Sequence, residues 1–201
     1  HGYEGTSMRQ ITSDAQVNLA AVNYHFGSKE ALMQQVFRRR LGNLNEIRVK
    51  VLDDLEAAAG GKPLKPSQIV DAFFGTLLRM AEKDEHGGRI FLRLLGRTFT
   101  EPSDFIRNFM ATEYADLLDR YKQALFRALP DVPKAEIVWR FHFMLGATSY
   151  AIAGTDALRL VTDWNVEEDD AVDRLDRLLP RLMSFLIGGL RAPLPNFETS
   201  S

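Results

Sequence analysis

Thr6-Ser7-Met8-Arg9-Gln10-Ile11-Thr12-Ser13-Asp14-Ala15-Gln16-Val17-Asn18-Leu19-Ala20-Ala21-Val22-Asn23-Tyr24-His25-Phe26-Gly27-Ser28-Lys29 decides the fold. Its punctuation predicts two short helices and the start of a third. Thr6 or Ser7 can cap a segment reaching about Asp14, because a hydroxyl there accepts from the free N–H groups of a helix start. Asn18 can cap a second segment from Leu19 to about His25, and Gly27 ends it. Ser28 then caps a long helix opening Lys29-Glu30-Ala31-Leu32. Ile11, Ala15, Val17 and Val22 are the apolar positions expected to lock the two short helices together, and Phe26 anchors the turn that follows. Gly2 and Gly5 read as a loop, so a further helix is expected ahead of them.

Working outward, helical signals dominate and strand signals are nearly absent, which predicts an all-α chain. The long helix carries apolar residues at 32, 36, 37, 41, 44, 47, 51 and 55 and should end near Gly60-Gly61-Lys62-Pro63. Further helices are expected from Pro66 or Ser67 to about 83, over 89–100, from 101–103 to about 129, and over 134–161. The last should begin near the acidic run 167–170 and end near Arg191, with Pro180 kinking or splitting it. The division this predicts is 1–50 for a helix-turn-helix unit and the start of a connecting helix, 51–191 for a second helical domain, and 192–201 for a loose tail.

Composition narrows the function classes. The 201 residues hold no cysteine, which excludes disulfides, thiol nucleophiles and cysteine-ligated metals and fits a cytoplasmic setting. No apolar run approaches the roughly 18–20 residues of a membrane span, and no signal-peptide pattern is expected from His1-Gly2-Tyr3-Glu4-Gly5. His1, His25, His86 and His142 lack metal-ligand spacing, and no phosphate loop or nucleophile-elbow pattern occurs. No enzyme, metal or cofactor is therefore expected. The net charge of −2 hides an asymmetry: residues 1–50 sum to +3 and residues 51–201 to −5.

Two short helices across a tight turn form a helix-turn-helix, whose second helix enters the DNA major groove while neighbouring groups hold phosphates. The string Gly2-Tyr3-Glu4-Gly5-Thr6-Ser7-Met8-Arg9-Gln10-Ile11-Thr12, then Ala15-Gln16-Val17-Asn18, then Tyr24-His25-Phe26-Gly27-Ser28-Lys29-Glu30-Ala31-Leu32, resembles the DNA-binding domain of the TetR family of transcriptional repressors over residues 2 to about 37. The resemblance implies phosphate contacts by Thr6, Tyr24, His25 and Lys29, and base contacts by Leu19, Ala20, Ala21 and Asn23. Ser7 and Asn18 are counted in the same interface, the hydroxyls and free amides at the first helix start being a ready phosphate site. Two positions depart from the family's habit. Gln16 stands where the family usually has Gly, at a cost of about 1 kcal/mol if the backbone there is left-handed. Asn23 stands where an aromatic is common, and Asn can read adenine bidentately.

The resemblance also implies a second domain that binds a small effector and forms a homodimer through its last two long helices. Gly146, Ala147, Ala151 and Gly154 are small enough for close helix approach, and Leu175, Leu179, Leu182 and Leu186 form an apolar stripe. These stripes serve either a two-fold interface or the monomer core. Phe91, Arg93, Leu94, Arg97, Trp139, His142, Phe143 and Met144 are the candidate effector-pocket residues. The polar members of that neighbourhood, Arg140 among them, admit an alternative reading as internal ion pairs with Asp71, Glu113 or Asp116. The segments 90–96 and 139–146 are similar to those of a TetR subgroup responding to long-chain fatty acids or acyl thioesters, which implies a hydrophobic effector, double-stranded operator DNA as partner and no membrane. A repressor sensing drugs or aromatic compounds, an apolar-ligand carrier without a DNA role, and an enzyme on an acyl substrate are the competing readings.

Overall fold

Three polar side chains start the first three helices. The Ser7 hydroxyl accepts from the Gln10 amide at 3.3 Å, while the Ser7 amide donates to Gln10 Oε1 at 2.7 Å, so each residue satisfies the other at the start of α1 (Met8–Asp14). Asn18 Oδ1 accepts from the amides of Ala20 at 2.7 Å and Ala21 at 3.4 Å and opens α2 (Leu19–Phe26). Ser28 Oγ accepts from the Ala31 amide at 3.1 Å and opens α3 (Lys29–Ala59), which ends at Gly60 in the left-handed conformation. The structure is a computed structural model and describes residues 3–84, 87–100, 104–153 and 175–195.

α3 buries Phe37, Leu41, Leu44, Arg48 and Leu52, a stripe spaced three and four apart with one cation inside it. It runs unbroken past residue 50, where the sequence placed a division. Phe37 already packs on the body, with ring centroids 6.2 Å from Phe91 and 6.4 Å from Phe109.

The helix expected from residue 66 to 83 is interrupted. α4 (Pro66–Val70) passes through a π-helical turn (Asp71–Gly75) into α5 (Thr76–Lys83). The Thr76 amide reaches back five residues to the Asp71 carbonyl, and Arg79 clasps the Asp71 carboxylate across the widened turn at 2.9 Å. Widening lets both Phe73 and Phe74 turn inward, and the Phe73 ring lies 5.0 Å from that of Tyr121.

α6 (Gly88–Thr100) follows as expected. The single helix expected up to residue 129 is two, α7 (Asp104–Glu113) and α8 (Ala115–Ala128), broken at Tyr114 with φ −123° and ψ 10°. Long-range partners hold that break. Arg38 binds Glu113 at 2.8 Å, and the Tyr114 hydroxyl donates to Phe37 O at 3.5 Å.

α9 (Lys134–Ile152) and α10 (Leu175–Leu190) complete the described elements; the expected end of the former and start of the latter lie outside the described residues. Pro180 sits inside α10 without ending it. Arg140 is buried and pairs with Glu136 at 2.8 Å, and its guanidinium also donates to the carbonyls of Leu190 and Pro193, closing the C-terminus of α10. Asp71 and Glu113, offered as its partners from sequence, are occupied by Arg79 and Arg38.

α6 and α9 make the most extensive helix pair. They meet at Gly96, where an added Cβ would stand 2.6 Å from Ser149 O and Ala153 N. Among the described residues the secondary structure is all helical, and no helix is long and apolar enough to cross a membrane.

Candidate functional site

The turn between α1 and α2 is built on Gln16, the sole described non-glycine residue with positive φ, at +54°. Its amide donates to Ser13 O at 3.1 Å and the next amide, of Val17, to Thr12 O at 3.0 Å, which reverses the chain into Asn18. α2 buries none of its residues completely. Ala20, Ala21, Asn23, Tyr24 and His25 are exposed, Tyr24 at 88%, and Leu19 is half-buried. Val17, expected to lock the pair together, is instead half exposed. Exposed Ser7 and half-buried Thr6 stand at the α1 start. Thr6, Ser7, Asn18 and the α2 residues thus belong to one helix-turn-helix unit, with the oxygen of Asn18 turned back on its own helix as a cap.

Lys29 does not reach outward as the phosphate role requires. Its Nζ donates to the carbonyls of Tyr3 at 2.8 Å and Thr6 at 3.0 Å and lies 4.2 Å from the centre of the Tyr3 ring. An ammonium with three donors finds its acceptors in the nearby turn, so Lys29 fastens the α1 start to the α3 start. Tyr3, which the sequence reading passed over, is buried and stacks on Phe105 of α7 at 5.9 Å.

A cavity of about 160 Å³ lies in the second part of the molecule, between α3, the π-helical turn and α5–α9. Phe73, Phe74, Phe99 and Tyr114 give it aromatic walls, and Leu77, Leu95 and Ile152 aliphatic ones. Its polar groups are Asn45, Arg48, Thr148, Ser149 and the Tyr114 phenol. Arg48 is 6% exposed. Its Nε donates to Phe73 O at 2.9 Å, its Nη1 donates to Asn45 Oδ1 at 3.2 Å, and its guanidinium carbon lies 3.9 Å from the centre of the Phe73 ring. Burial pulls its pKa down to about 10, which leaves it a cation at neutral pH. The Tyr121 hydroxyl donates to the Arg48 carbonyl at 2.9 Å, and burial raises its pKa to about 12. Ser149 Oγ donates to Leu145 O at 2.7 Å, whereas the buried Thr148 Oγ1 has no partner among the described residues.

The pocket residues read from sequence do not line this cavity. Phe91 and Met144 are packed in the core, Leu94 is half-buried, Arg93 and Arg97 are on the exposed side of α6, and Trp139, His142 and Phe143 are on the outer face of α9. Helical register is the reason. α6 sends Leu95 and Phe99 into the cavity, and α9 contributes Leu145, Thr148, Ser149 and Ile152, a turn beyond the aromatic run. The readable signal was Arg48 itself, a charge in register with Leu41, Leu44 and Leu52.

Register also sorts the expected dimer residues. Leu175, Leu182 and Leu186 are buried in the core and Leu179 packs against it, so that stripe faces its own chain. Gly146 is exposed, Ala147 and Ala151 are half-buried, and Gly154 lies outside the described residues. The outward face is different: Val138, Trp139, Phe143 and Tyr150 on α9 and Phe185 on α10, 47–68% exposed. Among the described residues no group of acidic residues and histidines is placed to hold a metal ion.

Residues 1–36 match the family described as bacterial regulatory proteins, tetR family. Residues 71–189 match the family described as tetracyclin repressor-like, C-terminal domain. No curated protein sequence matches the chain.

Proposed function

The chain belongs to the TetR family of transcriptional regulators, and from that membership we propose that it is a homodimeric repressor whose hold on an operator is released by a hydrophobic effector, a fatty acid or acyl thioester. The coarser statement needs no proposal: it is a DNA-binding transcriptional regulator of a non-enzymatic family. The observation that carries the reading is α2, capped at its start and open to solvent along Ala20, Ala21, Asn23, Tyr24 and His25.

In this reading α2 lies in the major groove. Leu19, Ala20, Ala21 and Asn23 face base edges, Thr6, Ser7, Tyr24 and His25 take phosphates, and Asn18 and Lys29 fix the helix and the turn that carry them. The reading head ends before Phe37, α3 connects it to the body, and two copies of the α9–α10 face form the dimer. Two such heads address half-sites one DNA turn apart, about 34–36 Å. An effector releases the DNA only by favouring a different head spacing, through tighter binding to that geometry.

A second reading within the regulator class is favoured by the cavity. Its four aromatic walls and volume of about 160 Å³ suit a small ring compound as well as an acyl tail. Selection of a palindromic operator from random DNA, followed by gel shift with and without a fatty acid, tests the proposal. Retention of DNA that falls on adding the acid supports it, release by small aromatics alone favours the second reading, and no retention of any DNA at low salt defeats both.

A further inference from the structure

We propose that the cavity beside Arg48 is a binding site for a small organic acid, in which Arg48 anchors the carboxylate and Thr148 supplies a second donor. This rests on the effector-controlled reading above and names the chemistry of its effector: a free acid of modest length rather than a long acid or a thioester.

The argument is one of unmatched charge. A buried guanidinium is costly unless an anion faces it. The other arginines held against the body have one: Arg140 has Glu136, Arg79 has Asp71, and Arg38 has Glu113. No carboxylate among the described residues pairs with Arg48. Of the five N–H donors of a guanidinium, two are used, on Phe73 O and Asn45 Oδ1, and the rest have no acceptor among the described residues. Thr148, 3% exposed, lines the same cavity with its hydroxyl unpartnered. A cation with unused donors and a buried, unpartnered hydroxyl, set among walls that are mainly apolar, ask for an acceptor carrying one negative charge and an apolar body.

The inventory separates ligand classes. A single cation matches a monoanion and leaves a phosphate dianion half compensated. A thioester carries no charge at the acyl carbonyl, so it would leave Arg48 unpaired. The volume of about 160 Å³ lies below the roughly 300–1,000 Å³ that enclose drug-sized ligands, which limits the acid to a short chain or a single ring. Placement on α3 gives the site an output. Arg48 lies on the same continuous helix as Lys29, roughly 28 Å along its axis, and Lys29 holds the carbonyls of Tyr3 and Thr6 at the start of the reading head.

The test is calorimetric titration at neutral pH with octanoate and with octan-1-ol, which matches its chain and lacks its charge. The full chain should bind octanoate roughly ten- to hundredfold more tightly than the alcohol. Arg48→Met, checked for helicity, should bring that ratio near one while keeping alcohol binding, and Thr148→Val should lower acid affinity several-fold. Equal binding of acid and alcohol by the unaltered chain overturns the proposal, as does an acid preference that survives Arg48→Met. Should Arg48→Met fail to fold, Thr148→Val decides, and an unchanged acid affinity there counts against the site. Gel shifts run in parallel separate the two readings. Acid binding through Arg48 in a chain that retains no DNA defeats the regulator reading alone, and DNA retention with no acid preference defeats this site alone.

Discussion

Gln16 holds φ at +54° with a side chain that makes that backbone unfavourable. Glycine would remove the Cβ clash, and the greater entropy of its unfolded chain takes back part of the gain. Gln16→Gly should stabilise the chain by about 1 kcal/mol, seen as a rise of roughly 2–4 °C in Tm by calorimetry. A fall in Tm would mean that the glutamine side chain supplies something the backbone argument omits. Asn23 is exposed on α2 and offers both an amide donor and an acceptor to a base edge. Asn23→Ala should cost about 1–3 kcal/mol on the best operator and flatten preference at one base pair, measured by competition against point-substituted operators. Uniform weakening across all operators would make Asn23 a backbone contact instead. The turn at Gln16 was legible as sequence, because turns are local chemistry. Lys29 was not. Its acceptors lie 23 and 26 residues away, and nothing in a Ser-Lys-Glu string reveals that the Tyr3 carbonyl accepts from it.

Helix starts were read well because they are written in one or two residues. Ser7, Asn18 and Ser28 each cap the helix expected of them, as Gly60 ends α3. Interruptions inside helices were not read, since the side-chain pairs beside them fall outside the helix period. The π-helical turn at Asp71–Gly75 is held by Arg79, and the break at Tyr114 stands beside the Arg38–Glu113 pair, which is made 75 residues apart in sequence. The cavity depends on both irregularities, as Phe73, Phe74 and Tyr114 all line it, so its residues were the part least available from periodicity. The α6–α9 contact carries its own prediction. The atoms that an added Cβ at Gly96 would meet are backbone of Ser149 and Ala153, which have no rotamer to escape into. Gly96→Ala should therefore destabilise by about 1–3 kcal/mol. Thr148 and Ser149 border that contact, so the same substitution should weaken octanoate binding. Unchanged stability in urea titration would mean that the two helices part freely at this point.

At the scale of the whole molecule, the charge asymmetry changes meaning. The +3 over residues 1–50 counts Arg38, Arg40 and Lys50, which pair with Glu113, Asp84 and Asp54, and Arg48, which is buried. Much of the basic character of the N-terminal quarter is thus taken up in pairs within α3 or between α3 and its neighbours, or set inside the body. A single head therefore has modest electrostatic purchase on DNA, and useful affinity requires two heads acting together. In the proposed dimer the second copy sits on the exposed apolar residues of α9 and α10. Trp139, Phe143 and Tyr150 follow one face of α9, and Phe185 of α10 is 68% exposed. Replacing Phe143 and Phe185 together with Asp should leave helicity intact, halve the mass measured by light scattering, and weaken binding to a palindromic operator by roughly two orders of magnitude. Leu182→Ala is the matching control. That side chain is 6% exposed within its own chain, so its loss should cost about 2–5 kcal/mol of stability and leave the mass unchanged. If Leu182→Ala separates the copies and the paired Asp substitutions do not, the dimer is built on the inward stripe after all, and α9 and α10 must turn over to make it.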